Sequence, residues 1–178
     1  MIIIKKKEFF AMKKLFKCLT VILVLSALIL SMTGCSLLDR IREASIKDKD
    51  FSKAGLTITL TDEFSEKDIV THTAYYVSQK AVVLTLKEDG SQSNIKTPKM
   101  YAELICQVNK ITNVEITEKD GSAEFNYENE TGGKEYYYYA RCYKNGTDFW
   151  LVQFGCETKN TEELTPLFEK WANSVKFN

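Results

Sequence analysis

An α+β fold, an antiparallel sheet of about six or seven strands with helices packed on its faces, follows from three observations on the 178-residue sequence. Short runs rich in Val, Ile, Thr and Tyr, several alternating apolar with polar residues, recur between residues 55 and 157. Turn signals at Asp120-Gly121, Gly132-Gly133 and Asn145-Gly146 separate the later runs by loops so short that only antiparallel neighbours can be joined. Two segments switch to helical spacing: Tyr101, Leu104, Ile105 and Val108, and then Leu164, Leu167, Phe168, Trp171, Ala172 and Val175.

Taken in order, the chain starts with a targeting segment. Lys13, Lys14 and Lys17 precede 14 mostly apolar residues, Leu19–Met32, which end in Thr33-Gly34-Cys35. This is the basic, apolar and small-residue order of a secretory signal spanning residues 1–34. Met12 is the more natural start, with Met1–Ala11 an upstream extension or a start-site error. Met32-Thr33-Gly34-Cys35 resembles a bacterial lipobox, although Met32 stands where Leu is usual. The resemblance implies a diacylglycerol thioether on Cys35, which becomes the new N-terminus and is open to further acylation. An uncleaved anchor is the competing reading, but 14 residues fall short of the roughly 20 that span a bilayer. Either way the domain is expected on the extracytoplasmic face of the cell membrane, and a two-chain lipid would hold it firmly.

Residues 35–54 alternate in charge, as in Lys47-Asp48-Lys49-Asp50, and are expected to form a flexible tether after the lipidated Cys35. The globular domain is expected over residues 55–178. Its first strand is Gly55–Leu60. Thr73–Val77 and Ala81–Leu86 follow as an antiparallel pair. Thr97 as N-cap and Pro98 at the first helical position open the first helix. The turn signals then divide strands near Asn113–Glu118, Ser122–Glu128, Lys134–Lys144 and Phe149–Glu157. Thr161-Glu162-Glu163 starts the second helix, in which Trp171 is expected to be a main core anchor. Apolar and aromatic residues on both alternating positions of Tyr136–Cys142 and Phe149–Cys156 imply a sheet covered on both faces.

Gly55-Leu56-Thr57-Ile58-Thr59-Leu60-Thr61-Asp62-Glu63-Phe64, a helix near Tyr101, and Asp148-Phe149-Trp150-Leu151-Val152-Gln153-Phe154 ahead of a helix bearing Trp171 resemble the PsbP-like family of α/β/α sandwiches. That family includes a photosystem accessory protein, a eukaryotic Ran-binding protein and many small bacterial lipoproteins. The resemblance covers residues 55–178 and implies an accessory or binding role more than an enzyme. It carries no functional residue onto this chain.

Charge and motif content narrow the function. Lys+Arg and Asp+Glu number 24 each, but without residues 1–34 the count is 18 positive against 23 negative, which disfavours a nucleic-acid partner. Phosphate loops, nucleophile elbows and metal-ligand spacings are absent from the sequence, so no catalytic residue, metal or cofactor is assigned. His72 is the single His and is expected at the surface rather than as a general base. The acidic group Asp62, Glu63, Glu66 and Asp68 lacks calcium-loop spacing and is expected to be solvated. Asn129 and Asn145 lie in accidental glycosylation sequons. Cross-strand register puts Cys142 on the face of Phe149 and Leu151, with Cys156 on the other. A bridge between them is therefore not expected, and buried free thiols are preferred over a pairing of Cys106 with either.

Tyr136, Tyr137, Tyr138 and Tyr139 send two rings to each face. Core packing is the first reading; a platform for a sugar or a partner strand is the second, and it makes these four the candidate binding residues. The expected function is a lipid-anchored extracytoplasmic binding or accessory module, attached to the membrane through Cys35 and supporting a membrane complex or the cell envelope through an envelope protein partner. The alternatives are an envelope-associated hydrolase or transferase using His72 with nearby carboxylates, and a small-ligand-binding lipoprotein.

Overall fold

A computed structural model describes residues 46–178. The expected signal segment, Cys35 and the expected tether up to Ser45 lie outside the described residues. The chain begins with a hairpin, β1 (Asp48–Lys53) and β2 (Leu56–Thr61), closed by the two-residue turn Ala54-Gly55. Both turn residues have positive φ, 53° and 94°, the turn type whose twist matches that of the flanking strands. β3 (Ser65–Glu66), β4 (Ala74–Val77), β5 (Ala81–Asp89) and helix α1 (Pro98–Asn109) follow. The meander comprises β6 (Thr117–Lys119), β7 (Ser122–Thr131), β8 (Lys134–Asn145) and β9 (Asp148–Glu157). A 3₁₀ turn, Thr158–Asn160, leads into α2 (Thr161–Asn173), and β10 (Lys176–Phe177) comes last.

These elements form two antiparallel sheets. Seven strands run in the order β3-β4-β5-β9-β8-β7-β6, and a smaller sheet has the order β1-β2-β10. β9 shows how the layers are held. Its Phe149 and Leu151 pack beneath α1 with Tyr101, Ala102 and Ile105. Trp150, Val152, Phe154 and Cys156 point the other way, into a cluster with Ile58 and Leu60 of the small sheet and Phe168 and Trp171 of α2. The fold is thus an α+β sandwich, with α1 on one face of the large sheet and α2 plus the small sheet on the other. A strand buried on both faces is apolar at nearly every position, the pattern its sequence shows with Gln153 as the buried polar exception.

Local signals set the helix ends. The Thr97 hydroxyl oxygen accepts the Met100 N–H at 3.2 Å, and Lys110 ends α1 in the left-handed region at φ 57°. α2 carries two acidic residues, Glu162 and Glu163, in its first turn, where they complement the helix dipole.

Three features differ from the sequence reading. Asp48–Lys53 lies within the expected tether but is a strand: Phe51 is buried against β2 while its charged neighbours face solvent, so the composition hid an edge strand. β1, β2 and β10 form a sheet of their own, because β2 turns its apolar residues Leu56, Ile58 and Leu60 toward α2 and the large sheet instead of joining it. The strand expected over Asn113–Glu118 shrinks to Thr117–Lys119. Asn113 has φ 60°, and Ile111, Val114 and Ile116 pack against the α1 cluster.

Candidate functional site

The four-tyrosine run lies on β8, an internal strand flanked by β9 and β7. Tyr136, Tyr138 and Tyr139 are buried, so core packing is the outcome for three of the four candidate binding residues. Tyr138 stacks on Tyr127 at 4.9 Å between ring centroids, and Tyr139 meets Phe154 at 6.0 Å. Gly155 makes room for this arrangement, since a Cβ there would sit 2.9 Å from the Tyr138 ring. Tyr137 alone is half-buried and reaches a cleft at the sheet edge. An internal strand of a covered sheet cannot offer two ring faces to a ligand, whatever its aromatic content.

The same strand carries a site that periodicity alone does not reveal. Arg141 is 3% exposed. Its Nε donates to Glu124 Oε2 at 3.0 Å, Nη1 to Asn173 Oδ1 at 2.5 Å, and Nη2 to the Tyr139 hydroxyl at 2.8 Å and also to Glu124. The Tyr139 hydroxyl itself donates to Glu124 Oε2 at 2.6 Å. Burial works against the charge on Glu124, yet the hydrogen bonds from Tyr139 and Arg141 outweigh it and hold the carboxyl below its ordinary range. Burial and that carboxylate raise the Tyr139 hydroxyl. All three guanidinium nitrogens are committed, so the cluster ties β7 and β8 to the end of α2.

Beneath α1 lies a second polar group. Burial raises the Glu88 carboxyl, with the Tyr101 hydroxyl partly opposing it. The two approach without hydrogen-bond geometry, which leaves Glu88 Oε2 and the Tyr101 hydroxyl buried and unpaired. Cys106, Cys142 and Cys156 are free and buried, in keeping with the expected thiols. Burial is the first cause that pushes Cys106 and Cys156 up to about 11 and Cys142 well above its ordinary value. All three are therefore thiols rather than thiolates near neutral pH, and poor nucleophiles.

His72 is half-buried rather than at the open surface. Its Nδ1 lies 2.8 Å from the Thr71 hydroxyl, Nε2 is buried without a partner, and burial lowers its pKa. The strand pairing of Ala74 with Thr85 and the bond from Thr73 N–H to the Thr85 carbonyl draw this segment onto the sheet and out of water. Among the described residues no group of three or more His, Cys, Asp or Glu could hold a metal ion, and no helix is long and apolar enough to cross a membrane.

Apart from one of about 490 Å³ beside Gly133 and Glu157 that no apolar side chain lines, two open recesses among the described residues border apolar side chains. One, of about 510 Å³, lies where the described chain begins, with Ile46 and Asp48 on one side and Leu167, Lys170 and Trp171 of α2 on the other. Its floor includes Phe64 edge-on to Trp171, 5.2 Å apart at 88°, and ion pairs Lys170–Asp48 (3.0 Å) and Lys80–Glu163 (2.7 Å) stand at its rim. The other, of about 400 Å³, runs between the segment after α1, Lys110–Val114, and Asn126–Asn129 of β7. His72 lines neither.

No protein-family model matches this chain, and neither does any curated protein. Solved structures do. A Bacteroides thetaiotaomicron protein matches with a TM-score of 0.55 at 12% identity over 73% of this chain, which spans 48% of that longer protein. The Saccharomyces cerevisiae Ran-binding protein Mog1p matches with a TM-score of 0.54 at 8% identity, over 75% of this chain and 96% of its own. Cyanobacterial PsbP from Synechocystis has a TM-score of 0.49 at 13% identity, with 84% and 99% covered. At such identities the likeness is one of architecture: this chain has the α+β sandwich fold of the yeast Ran-binding protein.

Proposed function

We propose that the protein is a lipid-anchored extracytoplasmic module that binds and supports a membrane complex or another envelope protein. The observation that carries this reading is Met32-Thr33-Gly34-Cys35 behind a basic and then apolar run, with the first strand starting at Asp48. The thirteen residues from Cys35 to Asp48 reach at most about 45 Å when fully extended. A lipid on Cys35 therefore keeps the sandwich next to the bilayer surface, where a partner held in the membrane meets it at high effective concentration. The accessory role rests on this placement and on the two open recesses that face outward from a well-packed core.

The test is metabolic labelling with an alkyne fatty acid, followed by in-cell crosslinking and mass spectrometry, on the full chain and on Cys35→Ala. The expected result is a labelled, membrane-bound protein with one abundant crosslinked partner, and a Cys35→Ala form that loses label, membrane and partner together. Label retained by Cys35→Ala removes the anchor from the proposal. A labelled wild type with no partner above background removes the accessory role.

A further inference from the structure

The outer edge of β7 is open over most of its length. β8 pairs with β7 across Ala123–Thr131, whereas β6 pairs with it only at Ser122, Ala123 and Glu124. Residues 125–131 thus have no strand on their outer side. Both neighbouring hairpins close with two-residue turns, Asp120-Gly121 and Gly132-Gly133, each with positive φ at both positions. A turn of this kind is flanked by a pair that exchanges both backbone hydrogen bonds, here Lys119 with Ser122 and Thr131 with Lys134. Counting by twos from either end gives the same parity. Phe125, Tyr127, Asn129 and Thr131 turn their N–H and C=O toward β8, and Asn126, Glu128 and Glu130 turn theirs outward.

The side chains of those outward-bonding residues are exposed and lie on the face of Tyr137 and Tyr139, where Glu130 sits directly opposite Glu135. Like charges directly opposite one another destabilise a sheet. On the other face Tyr127 and Asn129 are half-buried; the cleft of about 400 Å³ wraps the edge, lined by these two with Ile111 and Val114 and also by Asn126, Glu128 and Tyr137. Asn109 Oδ1, in the same wall, is buried with no partner. The open run contains no Pro, Gly or Lys, the usual means of blunting an edge. Its one defence is negative charge. Two copies pairing along the open run would centre on Glu128 and set it against its own copy, with Asn126 against Glu130. The edge therefore rejects a second copy of this chain and suits a cation.

We infer that the β7 edge is a docking site for an extended polypeptide segment of another protein, with Lys or Arg at alternate positions and small apolar residues between them. Such a segment adds an eighth strand to the sheet. Its basic residues stand across from Asn126, Glu128 and Glu130, exchange backbone hydrogen bonds with them and relieve the Glu130–Glu135 repulsion. Its apolar residues enter the cleft beside Tyr127. The site does not depend on whether Cys35 carries a lipid.

The probe is the peptide Lys-Val-Lys-Val-Lys-Val-Lys, acetylated and amidated, titrated against the detergent-solubilised full chain. On the predicted register the Lys amides face β7 and the Val amides face solvent. N-methylation at the Lys residues should weaken binding at least tenfold, and N-methylation at the Val residues should leave it within a factor of two. Hydrogen exchange should slow at the amides of Asn126, Glu128 and Glu130 when peptide is added. The double variant Glu128→Lys/Glu130→Lys should lose binding tenfold and gain it for the corresponding Glu-Val peptide; Glu128→Gln/Glu130→Gln, uncharged and exposed, is the fallback if the reversal perturbs folding. Equal binding by both methylated peptides, protection mapped to other strands, indifference to the charge variants, or a dimer formed through this edge in sedimentation would each overturn the inference.

Discussion

The two faces of the seven-stranded sheet are packed by different means. On the face under α2 and the small sheet, aromatic rings interlock: Phe154 stacks on Phe168 at 5.4 Å, and Trp171 lies within 6.1 Å of both. On the face under α1 the filling is smaller, with Ala102, Ala123, Ala140 and Cys142, and it encloses an unpaired carboxyl and hydroxyl. Both faces bury polar atoms without partners, the Tyr76 hydroxyl and Trp150 Nε1 on the first and Glu88 Oε2 and the Tyr101 hydroxyl on the second. The first also holds the Arg141–Glu124 pair, while the second holds a carboxyl raised by burial. The first should lose stability in acid, as Glu124 takes up a proton, and the second as pH rises and Glu88 loses one.

The largest effect should follow from emptying the ring cluster. Phe168→Ala is expected to cost about 4 kcal/mol in chemical denaturation, and Ile105→Ala under α1 about 3. A greater loss for Ile105→Ala would reverse the comparison. Next comes Arg141→Met, which leaves Asn173 without its donor and Glu124 with only the Tyr139 hydroxyl; about 2 kcal/mol is expected, less than for a fully buried pair because the Glu124 side chain is 19% exposed. The loss should shrink in the double variant with Glu124→Gln, since neither residue then carries an unpaired charge. Thr97→Ala, which removes the N-cap of α1, should cost about 1 kcal/mol and raise hydrogen exchange in α1 before α2.

The subtlest test concerns Glu88. Its folded pKa lies above the ordinary value, so the folded state holds this proton more tightly than the unfolded state does. The stabilisation is complete below the ordinary carboxylate pKa and is lost as pH rises through the raised one. Glu88→Gln should match the wild type in acid and become the more stable of the two toward neutral pH, with a flatter melting profile. Parallel profiles for the two proteins would place the pH dependence elsewhere.

Much of this architecture is legible because β7, β8 and β9 are long, strongly patterned and joined by two-residue turns. Both helices announce themselves by period, and α1 also by its cap. β1 escapes notice because Asp48, Lys49, Asp50 and Lys53 are charged, and an edge strand bonded on one side tolerates charge facing water. The Ala54-Gly55 turn between two short runs was the available clue. β10, at two residues, is below any pattern's reach, and nothing local says that it joins β2. The Arg141–Glu124 pair was recoverable from the Gly132-Gly133 turn, whose register sets those residues opposite each other. The tyrosine run shows the converse limit. Its residue types suit a binding surface, and only the position of β8 inside the sheet consigns three of the four rings to the core.

The small sheet also bears on how the molecule comes into being. β2 is held on one side by β10, and the Thr59 N–H donates to Ser174 Oγ across 115 residues of sequence. Closing so long a loop is slow relative to forming a local hairpin. A chain made from its N-terminus exposes Leu56, Ile58 and Leu60 long before α2 exists to cover them. The aromatic core therefore stays unlatched until the last residues of the chain are available, and the whole sequence closes it in one step.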